Sequence, residues 1–510
     1  MAFDDKVTEH EERTVRAQTM GGPQKLAKRQ AEGVWNARER VAALVDPGTW
    51  EESGLFATAQ DPAMRDQTPG DGKVTGFGKV QGRWVAVDAY DFTVKGSSSG
   101  SVGEKKVGHL KEVATSRGFP MVFLGESTGA RMPDIMGAEG MATLGGPTRF
   151  LRKREIPWVS AILGPAFGSA AWHACAADFN VMRRGAIMAV SSPGLISMAT
   201  RAQVDPEQLG GWRLHAEITG FTDAVVDTDA EAIALIQRFL SYLPSHHNEA
   251  PPMAPVPPGS DAGGSTLWDI IPQERTRVYD VHKVIDAIVD RDSVFELKAR
   301  YGSSVVTTLA RINGQAVGIV ANNPRVKGGA MDAPACTKVT SFLVLCDSFN
   351  IPLVLLVDQP GFLIGVEAER AGMVGKVINW MNAVSLFTMP KIMIIMRKSY
   401  GQAYINMGGG GIADESAAWW TADVSFMDPV TAATIVSGVT EQEDPVRFRQ
   451  VLETMQRSTS AYDLAAVYGV QTVLDPRETR DYLIRMLQVH TLRRSHGVGQ
   501  HLMQTWPTSY

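Results

Sequence analysis

Cysteine is scarce: 510 residues hold three, Cys175, Cys336 and Cys346, and no two stand in a C-x-x-C spacing. That excludes a disulfide framework and a zinc ribbon, and points to a reducing, cytoplasmic setting. No apolar run approaches the roughly 18–20 residues that cross a bilayer. Runs such as 351–357 and 392–396 have instead the length of strands buried on both faces. The first twenty residues are charged and lack the apolar stretch of a secretory signal. A formal charge of −5 and a pI near 6.1 argue against nucleic acid or anionic membrane as the main partner.

Motif chemistry is also missing. There is no G-x-x-x-x-G-K-[ST] phosphate loop and no H-E-x-x-H zinc helix. GESTG at 125–129 reads as a turn rather than a nucleophile elbow. His109, His173, His215 and His282 are scattered without metal-ligand spacing, and His173 reads as a packed or surface residue. No metal site is expected. The Gly408–Gly411 tract reads as a flexible loop.

What is present is apolar residue in quantity, 44% against 21% charged, enough for two or more large cores. A Pro-, Gly- and Ser-rich stretch at 244–266 reads as an extended linker between domains at 1–243 and 267–510. Before it, Asp229 is the expected N-cap of a helix over 230–243. After it, 278–297 reads as a helix followed by a strand.

The two halves repeat one another. Gly82 and Gly314 stand 232 residues apart, as do Lys95 and Lys327, Lys106 and Lys338, and Pro120 and Pro352. The segments 156–171 and 389–404 match at an offset of 233. Each half is therefore expected to copy one α/β unit in which strand, turn and helix alternate as β-β-α around a sheet.

In each half, two apolar strands run into small-residue turns. They are 127–130 and 167–170 in the first half, and 359–362 and 400–403 in the second. Small residues let a substrate oxygen approach the backbone, and N–H groups at a helix start point toward it. Two converging N–H groups make an oxyanion hole.

The blocks VWNARERVAALVDPGTWEE (34–52), GPAFGSAAWHACAADF (164–179), LCDSFNIPLVLLVDQPGF (345–362) and RKSYGQAY (397–404) occur in an order that resembles one family. It is the carboxyltransferase (beta) subunit of biotin-dependent acyl-CoA carboxylases, of the propionyl-CoA and acetyl-CoA type. The resemblance runs from about residue 34 to about 497. It implies two tandem crotonase-like domains, the first for the acyl-CoA and the second for biotin. It also implies a homo-oligomer, a hexamer, with active sites between domains of different subunits.

Carried over by position, the resemblance puts the thioester oxygen against N–H groups of Gly129, Ala130, Gly168 and Ser169. The biotin ureido oxygen would meet Gly361, Phe362, Gln402 and Ala403. Arg131 is the expected contact to a CoA phosphate, and Gly401 and Ile405 line the cofactor side. Carboxybiotin would release CO2, its freed nitrogen would take the α-proton of the acyl-CoA, and the enolate would capture CO2. No side-chain base is then required.

No Met-Lys-Met biotin attachment sequence occurs. Separate biotin carboxylase and biotin carboxyl carrier partners, using ATP and bicarbonate, are therefore implied. Where the family usually has paired glycines, this chain reads Gly168-Ser169 and Gly401-Gln402, and Ile405 stands where an Asp is often found. With Phe167, Trp172, Trp419 and Trp420, this predicts an apolar acyl site that favours bulky acyl groups. The same resemblance covers a decarboxylase component or a non-catalytic structural subunit as alternatives.

Overall fold

The computed structural model describes residues 3–142, 151–274, 276–492 and 494–507. The chain divides into two compact units, residues 1–248 and 249–510. Of the Pro-rich stretch, the part after 248 is built into the second unit. Ala254 donates to the Gly314 carbonyl, Arg311 donates to the Pro252 carbonyl, and Ala262–Thr266 forms a 3-10 turn.

Among its described residues the first unit holds eight strands: β1 Glu51–Glu52, β2 Lys73–Val80, β3 Arg83–Tyr90, β4 Met121–Ser127, β5 Trp158–Phe167, β6 Phe179–Arg183, β7 Ile187–Ala189 and β8 Ala224–Val226. They form one sheet in the order β1-β2-β3-β4-β5-β6-β8, with β7 paired to the far end of β5. β2 and β3 form a hairpin, and from β3 to β8 the pairing is parallel. Helices cover the crossovers, so the central strands are buried on both faces and read as continuous apolar runs.

The second unit repeats this plan with β9 Phe295–Leu297, β10 Val305–Ile312, β11 Gln315–Asn322, β12 Leu353–Gln359, β13 Lys391–Tyr400, β14 Glu415–Trp419, β15 Asp423–Ser425 and β16 Thr472–Leu474. The order is β9-β10-β11-β12-β13-β14-β16, with β15 on β13. β10, β11 and β12 each begin and end 232 residues after β2, β3 and β4. Even the irregularity that interrupts the β4–β5 ladder between Gly125 and Ser127 recurs between Val357 and Gln359. Both hairpins turn through two residues at positive φ, Gln81-Gly82 and Asn313-Gly314. That is the backbone a two-residue turn between right-twisted strands requires.

Local expectations fare differently. The run 392–396 is a fully buried part of β13, and helix Val281–Ile288 precedes β9 as read from sequence. Its Val281, Val284, Ile285 and Ile288 recur at helical spacing and are all buried. The cap of helix Asp229–Tyr242, however, is Thr228, which forms a capping box with Glu231. Asp229 has moved into the first turn because its carboxylate is needed below, where it accepts from Arg40 and Arg183.

A buried acid sits one residue before the end of β4 and of β12. Glu126 is held by Arg29 and Arg40, and Asp358 by Arg397 and Lys398. Arg40, fully enclosed, also pairs with Asp229, so one guanidinium ties β4 to helix Asp229–Tyr242. Removing one partner of such a set strands the others in low dielectric. Arg40→Met is expected to lower stability by about 3–5 kcal/mol. Urea unfolding of the variant checks this, and unchanged stability would contradict it.

Candidate active site

In the first unit, β4 runs into Thr128-Gly129-Ala130. The loop is pinned by a parallel bridge in which Ser99 donates to the Gly129 carbonyl and accepts from Arg131 N–H, both at 2.8 Å. A bridge of this kind uses the residues on either side of Ala130 and leaves Ala130's own N–H pointing away. Gly129 N–H is spent on Ser127 Oγ at 3.0 Å, and Gly129 adopts φ +100°, open to glycine alone.

The second turn follows β5. Gly168, at φ +65° and ψ −128°, carries the chain directly from strand into helix Ser169–Ala176. As N-cap it has no side chain to satisfy the first N–H groups, which stay uncapped. The two turns touch. A Cβ added to Gly168 would lie 3.4 Å from Gly129 Cα and 3.8 Å from Ala130 N, pressing over that N–H. Among the described residues, the N–H groups of Ala130 and Ser169 find no acceptor. Two amide donors thus stand side by side at the start of an eight-residue helix, where the helix dipole adds positive potential.

The second unit repeats the construction. Met331 bridges Phe362, donating to the Gly361 carbonyl at 3.1 Å and accepting from Leu363 at 2.9 Å. Gly361 takes φ +125° and Gly401 φ +65°. Gln359 Nε2 crosses to the Tyr400 carbonyl at 3.3 Å and ties the two turns together. Among the described residues, Phe362, Gln402 and Ala403 N–H groups have no acceptor. The helix here, Ala403–Asn406, is a single turn, so its dipole is weaker than that of the eight-residue helix.

The departures from paired glycines are resolved by the backbone. Gln402 is right-handed, at φ −57° and ψ −29°, and Ser169 already belongs to its helix. Neither position needs a glycine. Their side chains are also occupied: Ser169 Oγ meets Ser99 Oγ at 2.7 Å, and Gln402 Nε2 lies 3.3 Å from Met381 Sδ.

Other expected site residues do not join the group. Arg131 is buried, clamped by Asp71 and Asp134 and donating to the Ser98 carbonyl at 2.8 Å. Its charge is committed to holding the loop, which withdraws it from the phosphate contact. Trp419 is wholly buried in the second unit's core, its indole donating to Thr479 Oγ1, and Trp420 packs on Trp268. Neither lines the turn around Ile405. Gly408 and Gly409 are packed rather than open; a Cβ on Gly409 would strike the Tyr404 ring at 2.4 Å.

Nucleophilic alternatives are closed as well. GESTG does carry a Ser between its glycines, but Ser127 is fully buried in β4 and its Oγ donates to the Ser97 carbonyl. Burial pushes the Cys175 thiol up to about 11 and Cys336 to about 12. No group of metal-ligating side chains occurs among the described residues. Sequence reading missed the bridging residues Ser99 and Met331, although their 232-residue spacing was open to view.

Comparison with known proteins agrees with this frame. A carboxyl transferase domain matches residues 28–498. The chain is 34% identical over 508 residues to the propionyl-CoA carboxylase carboxyltransferase subunit of Haloferax mediterranei, covering 97% of this chain and 98% of that protein. It is 35% identical over 488 residues to the methylmalonyl-CoA carboxyltransferase 12S subunit of Propionibacterium freudenreichii subsp. shermanii, covering 93% and 92%. A crystal structure of transcarboxylase 12S, described as a hexamer with methylmalonyl-coenzyme A bound, superposes with a TM-score of 0.89 at 33% identity, covering 96% of this chain and 95% of that one. The expected crotonase-like fold is thereby shown.

Because Gly168 is strained for any L residue while Ser169 is not, the two positions should respond differently. Gly168→Ala is expected to cost about 1–3 kcal/mol and Ser169→Gly less than about 1 kcal/mol. Thermal unfolding of both variants checks this; equal losses would contradict it.

Proposed function

The chain belongs to the carboxyl transferase family and moves a carboxyl group to or from an acyl-CoA; on that premise we propose that it is the carboxyltransferase component of a biotin-dependent acyl-CoA carboxylase. The observation that carries the reading is the pair of unpartnered amides, Ala130 and Ser169, repeated in kind by Phe362 and Gln402. In the first unit they receive the thioester oxygen and hold the negative charge that grows on it as the α-proton leaves. Fixed dipoles of this kind act without reorganising, and one such donor is worth about 10²–10³ in rate.

The second unit's amides receive the ureido oxygen of biotin. The fit is supported by open space, since a Cβ at Gly361 would meet nothing within 4 Å. Biotin, carried by a partner, supplies the transferable carboxyl group and, once emptied, a basic nitrogen. The unequal helices suit this division. The eight-residue helix faces a developing anion, and the single-turn helix faces a neutral carbonyl. Cytoplasmic location, hexameric assembly, and biotin carboxylase and carrier partners that consume ATP and bicarbonate complete the proposal. No helix of the described residues is long and apolar enough to cross a membrane.

The acyl group is the finer question. Trp172, half exposed one helical turn from Ser169, and Ile405 in the second unit's turn keep the expectation of an apolar site. With the two other tryptophans withdrawn, the preference for bulkier acyl groups rests on these two and on Phe167. An acyl-CoA panel tests it: activity highest on acetyl-CoA would contradict it.

Function itself is tested by pulling the chain from its native cell, detecting a stoichiometric biotinylated partner, and assaying carboxylation with ATP and bicarbonate. No biotinylated partner would contradict the proposal. The amide role is tested at Ser169, the first helical position, where proline fits the helix and removes the N–H together with the hydroxyl that Ser169→Ala also removes. Ser169→Pro is expected to lower kcat about 10²–10³-fold, and Ser169→Ala, which keeps the amide, about tenfold or less. Equal losses would contradict the role of the amide.

A further inference from the structure

Beneath the first unit's turn lies a set of charged and polar groups that this mechanism does not use. Asp88 on β3 is completely buried, and neither carboxylate oxygen has a hydrogen-bond partner. Lys73, Lys106 and Lys111 supply the nearby positive charge. On helix Ser169–Ala176, one turn after Ser169, the buried His173 stacks on Phe123. Its Nε2 lies 2.8 Å from Lys111 Nζ and its Nδ1 lies 3.1 Å from the Tyr90 hydroxyl. Tyr90, also buried, comes within interaction range of the Ser169 side chain, whose Oγ meets Ser99 Oγ at 2.7 Å. An array of buried polar groups therefore runs from Lys111 through His173 and Tyr90 toward Ser169 and Ser99, the two residues that frame the amide donors.

The second unit serves as an internal control for whether the fold needs these groups. At the same offset, Lys73 is replaced by Val305, Asp88 by Val320 and Lys111 by Leu343, all fully buried. Tyr90 is replaced by Asn322, and His173, at offset 233, by Asn406. The same topology is thus built on apolar side chains where the first unit buries charge. Buried charge is costly unless paired. Lys106 recurs as the buried Lys338 and belongs to the shared fold, but the charges at 73, 88 and 111 have no counterpart at 305, 320 and 343 and mark a task that the second unit lacks.

Resting on the carboxyltransferase reading above, we propose that Lys111, His173 and Tyr90 are positioning residues that orient Ser169 and polarise its amide toward the acyl thioester oxygen. A protonated Lys111 can only donate, so His173 Nε2 must accept and the ring proton sits on Nδ1. Nδ1–H then donates to the phenol oxygen, and the phenol O–H is free to donate to Ser169. A neutral Lys111 can accept instead, and the array can run the other way. Lys111 is faced by Asp88 from β3, Lys73 from β2, His173 from its helix, Arg152 from the segment before β5, and the Phe123 and Trp158 rings. Burial brings its pKa down to about 7, with Asp88 opposing the shift and Lys73 and Arg152 adding to it. The charged form is therefore present below neutrality and lost above it.

The test uses the complex purified with its biotinylated partner, comparing wild type with Tyr90→Phe and Lys111→Leu. Tyr90→Phe keeps the ring and interrupts the array; Lys111→Leu installs the residue that the second unit tolerates. Both are expected to lower kcat about 3–10-fold, no more than Ser169→Ala does, while KM for acyl-CoA changes less than about twofold. Tm should not fall, and the decline of kcat above about pH 7 should be lost in both. Wild-type kcat and pH profile in Tyr90→Phe would overturn the proposal, as would losses that follow a fall in Tm. If the wild-type complex moved no carboxyl group on any acyl-CoA, the functional reading would fail first and this inference with it.

Discussion

Each unit depends on a glycine held at φ +65° at the end of its longest strand, Gly168 after β5 and Gly401 after β13. A left-handed residue there lets a buried parallel strand enter a helix with no intervening loop. The helix start is consequently fixed against the neighbouring strand end, and its first amides have no cap to occupy them. The adjacent turn is pinned by Ser99 in one unit and Met331 in the other, and in the first unit it brings a further unpartnered amide against the helix start. Rigid strands buried on both faces set these positions, and the donors are part of the backbone that those strands fix.

Duplication preserved this frame and allowed the surroundings to diverge. The buried acids Glu126 and Asp358 recur at the same position but recruit different cations, Arg29 and Arg40 in one case and Arg397 and Lys398 in the other. The helix after the second turn has eight residues in the first unit and four in the second. Beneath the turn, Asp88 and Lys111 correspond to Val320 and Leu343 in the copy. Divergence of this kind fits the proposed division, in which one unit meets a negatively charged transition state and the other a neutral ligand.

Much of this was legible in the chain. The offset of 232 residues was visible at Gly82 and Gly314, and the strands follow it to the residue. The four small-residue turns were visible because apolar runs end in them. Side-chain commitments were not legible, because they depend on partners distant in sequence. Arg131 reads as an available cation until Asp71, sixty residues earlier, is seen to hold it. Asp229 reads as a cap until Arg40, 189 residues away, claims its carboxylate. Trp419 reads as a neighbour of Ile405, but strand alternation sends it into the core. His173 reads as a packed histidine and is one, stacked on Phe123, but its ring nitrogens meet Lys111 and Tyr90. The signal for it was a mismatch within the repeat, charges at 73, 88 and 111 set against aliphatics at 305, 320 and 343.

The most direct test of the central claim is a crystal structure of the chain with a non-reactive acyl-CoA thioether or ketone analogue bound. The account predicts the oxygen that replaces the thioester carbonyl within about 3 Å of both the Ala130 and Ser169 nitrogens, with no side chain interposed. An analogue whose oxygen is held by side chains elsewhere, with both amides left facing solvent, would contradict it.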